Sequence, residues 1–222
     1  MERKIIITSD GSKTIYIPEL NECYHSKNGA LAESLHIFIN AGYRFAAEYK
    51  LTLNILEIGF GTGLNALLTL IEANNDPREV NYLGVEPYRV DKKMLDGLNY
   101  PELTGVPEAN NFFEEIHKTT FANKITGHFT LSVSEDKIED IVLTDSFFDL
   151  VYFDAFAPLL CPELWSPEVF QKIYKSMNTG GVLVTYSCKG DVKRALKSAG
   201  FSIEKLPGPV GKREFLRAVK IS

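Results

Sequence analysis

Residues 53–65 place three alternating glycines, Gly59, Gly61 and Gly63, between the apolar run Leu53-Asn54-Ile55-Leu56-Glu57-Ile58 and a helical run that starts at Leu64. A short, nearly continuous apolar run ending in glycine reads as a strand of a parallel sheet, because such strands are buried on both faces. Glycine permits the tight turn and lets a ligand approach the main chain, while the helix that follows presents unpaired N–H groups at its start. Strand, glycine loop and helix in that order commit the chain to an α/β fold with a ligand at the carboxyl edge of the sheet.

The rest of the 222 residues fits around this unit. Lys4 to Ile17 reads as a β-hairpin turning at Asp10-Gly11, and Gly29 to Tyr49 has helical apolar spacing at Leu31, Leu35, Ile39, Tyr43, Ala46 and Ala47. After the Leu64–Ala73 helix, stopped by Asn74-Asn75-Asp76-Pro77, strands are expected at 80–86, 128–133, 149–154 and 182–186. Helices are expected at 91–98, 167–177 and 191–198, with Asn178-Thr179-Gly180-Gly181 ending the second. Two last strands, near 201–206 and 214–219, follow without a helix between them, so one of them runs antiparallel. The expectation is a Rossmann-like, mainly parallel seven-stranded sheet with one antiparallel strand, plus an N-terminal β-hairpin and helix. Residues 1–50 form an extension packed on a core of 51–222, the whole making one globular unit. Residues 99–124 give no clear pattern and read as an insertion near the substrate mouth.

Three distant cysteines (Cys23, Cys161, Cys188) and four scattered histidines form no metal-ligand spacing, so neither a disulfide scaffold nor a metal site is expected. A reducing cytoplasmic location and a monomer are the simplest readings. The net charge of −5 argues against a nucleic-acid partner, but from Lys189 onward nine basic residues face three acidic ones. That basic quarter suits either phosphate contact or a solvated helix face and strand edge.

The glycine loop allows two cofactors. Gly61-Thr62-Gly63-Leu64-Asn65-Ala66 fits the dinucleotide fingerprint Gly-x-Gly-x-x-Ala. Glu57 favours the other reading, S-adenosylmethionine: an acid there can bond within the loop or to the cofactor amino group, but would repel a pyrophosphate. Glu86 ends the second strand 23 positions after Gly63, the spacing of a carboxylate that holds ribose hydroxyls. Glu135 or Asp136, after the third strand, is placed to meet adenine, with no choice between them. Asp154 ends the fourth strand after the apolar Leu150-Val151-Tyr152-Phe153, where a partly desolvated carboxylate can orient an amine nucleophile and accept its proton. Phe156 and Trp165 downstream can pack in the core or stack a base.

Taken in order, Ala32-Glu33-Ser34, Glu57 through Asn65, Asp154-Ala155-Phe156-Ala157-Pro158, Pro162-Glu163-Leu164-Trp165, Ala199-Gly200-Phe201 and Gly211-Lys212-Arg213-Glu214-Phe215-Leu216 carry a resemblance. The chain resembles the methyltransferase domain of the bacterial tRNA 5-methylaminomethyl-2-thiouridine biosynthesis enzyme family, from Asp10 to Val219. The resemblance implies methylation by S-adenosylmethionine of the 5-aminomethyl group on a wobble uridine of tRNA. It puts Asp154 beside the amine, and Gly59, Gly61, Gly63 and Asn65 on the cofactor. Tyr24, Glu33, Phe156 and Pro158 fall near the substrate, and Lys212 and Arg213 near the tRNA backbone. Ala155 stands where the family usually has glycine, and no fused oxidase domain is expected, so methyl transfer alone is implied. A small-molecule amine methyltransferase, and a nicotinamide-dependent oxidoreductase, are the alternatives.

Overall fold

The computed structural model describes residues 2–48, 50–76 and 78–221. The expected helix end at Tyr49 and the helix-stopping Pro77 lie outside them, as do Met1 and Ser222. The hairpin forms as its turn requires: β1 (Lys4–Ile7) and β2 (Lys13–Ile17) pair antiparallel, with Ile7 opposite Lys13. A short β3 (Glu22–Cys23) adds to β2, giving a three-stranded sheet distinct from the main one. Asp10, read as a turn residue, also accepts the Ala32 N–H at 2.9 Å. It thereby satisfies a first-turn donor of α1 (Ala30–Ser34).

The helix expected after it is three pieces: α1, a π-type helix (Leu35–Arg44) and α2 (Phe45–Ala47). The buried set Ile37, Phe38, Ile39, Gly42 and Tyr43 includes three consecutive residues, a broader stripe than a regular amphipathic helix presents. That broad face covers the middle of the main sheet, with Phe38 edge-on to Tyr152 at 5.4 Å.

The main unit runs β4 (Thr52–Ile58), α3 (Leu64–Asn74), β5 (Glu79–Val85), α4 (Lys92–Leu95), α5 (Tyr100–Thr104), α6 (Ala109–Lys118), β6 (Asn123–Lys124), β7 (Phe129–Ser134), β8 (Phe148–Phe153), α7 (Pro167–Ser176), β9 (Met177–Thr185), α8 (Gly190–Ser198), β10 (Ser202–Pro207) and β11 (Glu214–Val219). The strand order is β10-β11-β9-β8-β4-β5-β7-β6. The sheet therefore has eight strands rather than seven, and two of them, β6 and β11, run against the rest. The extra strand is two residues long and polar, too short to leave a period in the sequence. β9 also starts five residues earlier than expected. Its glycines do not end α7 but sit inside the strand, where the pairing of β8 with β9 slips between Phe148 and Leu150.

Every residue of β8 is buried, as a central parallel strand requires. Leu53, Ile55, Leu150 and Tyr152 pack toward the N-terminal helices and α3, while Leu56, Ile58, Val151 and Phe153 pack toward α7 and α8. The region 99–124 becomes α5, α6 and β6. His117, on α6, reaches the glycine loop, its Nε2 3.1 Å from Thr62 O, so this segment braces the loop from behind. Strand order reverses between the parallel neighbours β4 and β8: the chain continues from β4 to β5 on one side and from β8 to β9 on the other. The crevice at their carboxyl ends is where such sheets bind ligands.

Candidate active site

At that crevice the strand ends are tied together by main-chain bonds. Asp154 N–H donates to Ile58 O at 2.9 Å, and Gly59 N–H to Val85 O at 3.0 Å. Gly59 has φ +85°, and a Cβ there would lie 2.6 Å from Asp154 O; Gly61 has φ +50° and would meet Tyr24 at 3.2 Å. Both positions combine left-handed backbone with close approach, which only glycine supplies without strain. Gly63 is the N-cap of α3, and no side chain caps that end. The first N–H groups of α3 thus remain available to an anion.

A cavity of about 350 Å³ opens here, within the range of small-ligand sites, ~300–1,000 Å³. Of the residues singled out in the sequence, Tyr24, Glu33, Gly59, Gly61, Asn65, Glu86, Asp154, Phe156 and Lys212 line it. Tyr24 meets Phe156 edge-on at 5.1 Å. Glu86 has its oxygens on main-chain N–H groups, Oε2 accepting from Gly61 and Oε1 from Tyr88, each at 3.0 Å. It holds the loop as well as facing the cavity.

Other expected residues fall outside the cavity wall. Glu57 is 1% exposed and sits behind it, accepting Tyr82 OH at 2.7 Å and Asn65 Nδ2 at 2.9 Å. Burial pushes its carboxyl up to about 8, with Tyr82 and Asn65 acting to lower it. Glu57 thus links β4 to β5 and to the first turn of α3, on either side of the glycine loop. Gly63 faces His117 and Ile116. Glu135 and Asp136 are both exposed, and Asp136 is engaged with Ser134 Oγ at 2.9 Å. Pro158 is off the wall, and Arg213 is exposed beyond it. Trp165 is a core residue, 5% exposed, whose Nε1 donates to Phe156 O at 2.8 Å. It fixes the loop that presents Phe156 and does not offer a stacking face.

Lys212 is not a free surface cation. It forms an ion pair with Glu33, whose Oε2 also accepts Ser26 N–H at 3.0 Å, and its Nζ stands 4.2 Å over the Tyr186 ring. Asp154 accepts Asn65 Nδ2 at 2.9 Å. Its carboxyl is held well above the usual carboxylate range by burial and then by the charges of Glu33 and Glu57; Asn65 and Lys212 offset part of this. The site is therefore acid-rich, with one lysine committed to one glutamate.

His25 and Tyr186 also line the cavity, and neither stood out in the sequence. His25 Nδ1 lies 3.4 Å from Thr14 Oγ1 and 3.3 Å from Tyr100 OH, and burial depresses its pKa to about 4, so it is neutral. Tyr186 follows the end of β9 and donates to Ala155 O at 2.9 Å. The rule that ligands gather at carboxyl strand ends was the one signal that pointed to it.

Residues 105–221 match the model of a family described as S-adenosyl-L-methionine-dependent methyltransferase. The chain belongs to the S-adenosyl-L-methionine-dependent methyltransferase family. The nicotinamide alternative falls with that match. This methyltransferase is 30% identical over 213 residues to the tRNA 5-methylaminomethyl-2-thiouridine biosynthesis bifunctional protein MnmC of Ralstonia nicotianae, covering 90% of its own length and 32% of that protein. It is 30% identical over 227 residues to the MnmC protein of Cupriavidus metallidurans, covering 94% and 32%. The methyltransferase thus spans about a third of the length of the curated relatives it matches. Its structure aligns with the crystal structure of MNMC2 from Aquifex aeolicus with a TM-score of 0.81 at 26% identity, covering 100% of this chain and 72% of that one. Among the described residues no helix is long and apolar enough to cross a membrane.

Proposed function

We propose that this methyltransferase transfers a methyl group to the amine of a 5-aminomethyl group on a wobble uridine, or 2-thiouridine, of tRNA. The observation that carries the reading is Asp154: a carboxyl with a raised pKa, in an acid-rich cavity, beside the glycine loop. An acid-rich cavity attracts an ammonium, and a carboxyl of raised pKa is the stronger base for its proton. The likeness to the MnmC proteins supplies the nucleoside and the tRNA.

The residues present fit the cofactor. The uncapped start of α3 suits its carboxylate, and Gly59 and Gly61 line the cavity beside it. Glu86 at the end of β5 stands where ribose hydroxyls are held in such folds. When bound, S-adenosylmethionine supplies an activated methyl on a sulfonium. The chain's own contribution is to position the amine, exclude water from it and take its proton at Asp154. Glu33 neutralises Lys212, so that lysine does not compete for Asp154.

The RNA docks, in this reading, along the basic C-terminal quarter, where Lys189 after β9, Lys197 on α8 and Arg213 in the turn before β11 are exposed. The second reading, a small free amine as acceptor, is favoured by the net charge of −5. Labelled S-adenosylmethionine with undermethylated bulk tRNA, followed by nucleoside analysis, separates them. Label in 5-methylaminomethyluridine or its 2-thio form is expected. Label on free amines with none on tRNA would move the assignment to the second reading.

A further inference from the structure

We propose that Asn65 is a substrate-positioning residue: with Asp154 it forms a paired acceptor for the two N–H groups of a primary amine, and it thereby limits the reaction to one methyl group. The inference rests on the amine-methyltransferase reading of the site.

Asn65 is 2% exposed and lies on the cavity wall. Its Nδ2 donates to Glu57 Oε1 and to Asp154 Oδ2, each at 2.9 Å, which uses both amide hydrogens. In this orientation both amide hydrogens meet carboxyl oxygens, the arrangement that suits Asp154 as a carboxylate ready to take a proton. Thr69 Oγ1 donates to the Asn65 main-chain oxygen at 2.7 Å, steadying this turn of α3. Asn65 Oδ1 is left buried and accepts no hydrogen bond among the described residues. A buried carbonyl without a donor is a cost that native structures rarely carry unless something else supplies the donor.

The neighbouring carbonyls already have donors. Ala155 O accepts Tyr186 OH at 2.9 Å, Phe156 O accepts Trp165 Nε1 at 2.8 Å, and Ala157 O accepts Leu160 N–H at 2.8 Å. The three main-chain acceptors that directly follow Asp154 are thus occupied. The Asn65 carbonyl, on the side chain that already holds Asp154, is not.

A neutral primary amine has two N–H groups and one lone pair. With one N–H on Asp154 and the other on Asn65 Oδ1, the lone pair points away from both acceptors and is free for the methyl. Transfer then balances simply. The lone pair forms the N–C bond, the C–S bond breaks with its electron pair staying on sulfur, and the proton shed by nitrogen goes to the Asp154 carboxylate, which has first passed the proton taken from the entering ammonium to solvent. The product is a secondary amine with a single N–H. It cannot satisfy both acceptors, and turning its lone pair toward a second methyl would press the first one against a carboxylate or the amide oxygen. A site built to bond two N–H groups rejects a group that lacks one.

The test compares tRNA carrying the primary 5-aminomethyl group with tRNA carrying its monomethylated product, for the unaltered protein, Asn65→Ala and Asn65→Ser. Equilibrium binding of each tRNA is measured with S-adenosylhomocysteine present, together with S-adenosylmethionine affinity by calorimetry and turnover by nucleoside analysis. The unaltered protein is expected to prefer the primary amine roughly 10–100-fold, the factor that one lost buried hydrogen bond represents. Asn65→Ala is expected to bring that preference near unity, with dimethylated nucleoside appearing and S-adenosylmethionine affinity within about twofold. Asn65→Ser, which keeps a short acceptor, falls between. An unchanged preference in Asn65→Ala would overturn the proposal. So would a loss of S-adenosylmethionine affinity matching the loss of turnover, which would make Asn65 a cofactor contact. An unaltered protein that methylates no primary amine fails at the earlier reading, and is told apart by that.

Discussion

Asn65 and Asp154, 89 positions apart, meet at 2.9 Å, so the helix that follows the glycine loop holds the side chain just beyond β8. Loop geometry and base geometry are therefore one structure, and a change in either is felt by the other.

Replacing Asp154 by Asn removes the proposed proton acceptor while keeping the shape. Turnover is expected to fall ~10²–10⁴-fold, the usual contribution of a positioned base. S-adenosylmethionine affinity, measured by calorimetry, should stay within about twofold. In the unaltered protein the carboxyl is held above its ordinary range, so its basic form is lost as pH falls while an ordinary carboxylate would still be ionised. A profile of kcat/KM against pH should show an acid limb that disappears in Asp154→Asn; an identical limb in both would remove Asp154 from the base role.

Glu57 makes stability depend on pH in the opposite sense to most carboxylates. Its pKa rises from 4.5 to about 8 on folding, so between those values the folded chain holds more protons than the unfolded one. Stability from this group is then full below about 4.5 and declines as pH rises toward 8. Glu57→Gln cannot ionise and should flatten that decline in a series of thermal melts from pH 5 to 8. A decline of equal slope in the variant would show that another group is responsible.

The histidines act on the acid side. His25 and His117 are each depressed by burial from 6.5 to about 4. Between those values the unfolded chain binds more protons, so the stability they contribute is present above about 6.5 and is lost as pH falls toward 4. His117→Gln keeps a donor for Thr62 O and should lessen the fall in melting temperature between pH 6.5 and 4.5. No change in that fall would argue that His117 is already protonated.

What the sequence made legible was local. The apolar run of β4, the glycines and the acid ending β8 are each a pattern of a few residues, and the structure has them where the pattern put them. The inward turn of Glu57 was not legible, because it depends on Tyr82, 25 positions away, and on the Asn65 amide in the first turn of α3. Nor was the widening of the N-terminal helix, whose apolar spacing fits a regular helix nearly as well. Lys212 and Arg213, adjacent in sequence, looked like one basic pair. Only packing against the N-terminal segment separates them, sending Lys212 to Glu33 and leaving Arg213 exposed.

That separation has a measurable form. Lys212→Met leaves Glu33, a buried carboxylate, without its cation, so a loss of stability of ~3–5 kcal/mol is expected in denaturant unfolding. Arg213→Glu should leave stability unchanged and weaken tRNA binding, with the slope of log K against log salt reduced by about 1. The opposite assignment of the two effects would return Lys212 to the RNA surface.

The wall of the cavity draws on Tyr24 and Glu33 near one end of the sequence and on Lys212 near the other, with the glycine loop between them. The ion pair of Glu33 with Lys212 closes a loop of nearly the whole chain. Contacts of such wide separation form late, because chain-closure entropy must be met before they contribute. During synthesis β4, the glycine loop and α3 are made long before Lys212 leaves the ribosome. A partly made chain thus has the glycine-loop segment without Lys212, and the Glu33–Lys212 side of the cavity closes only once the turn between β10 and β11 is made.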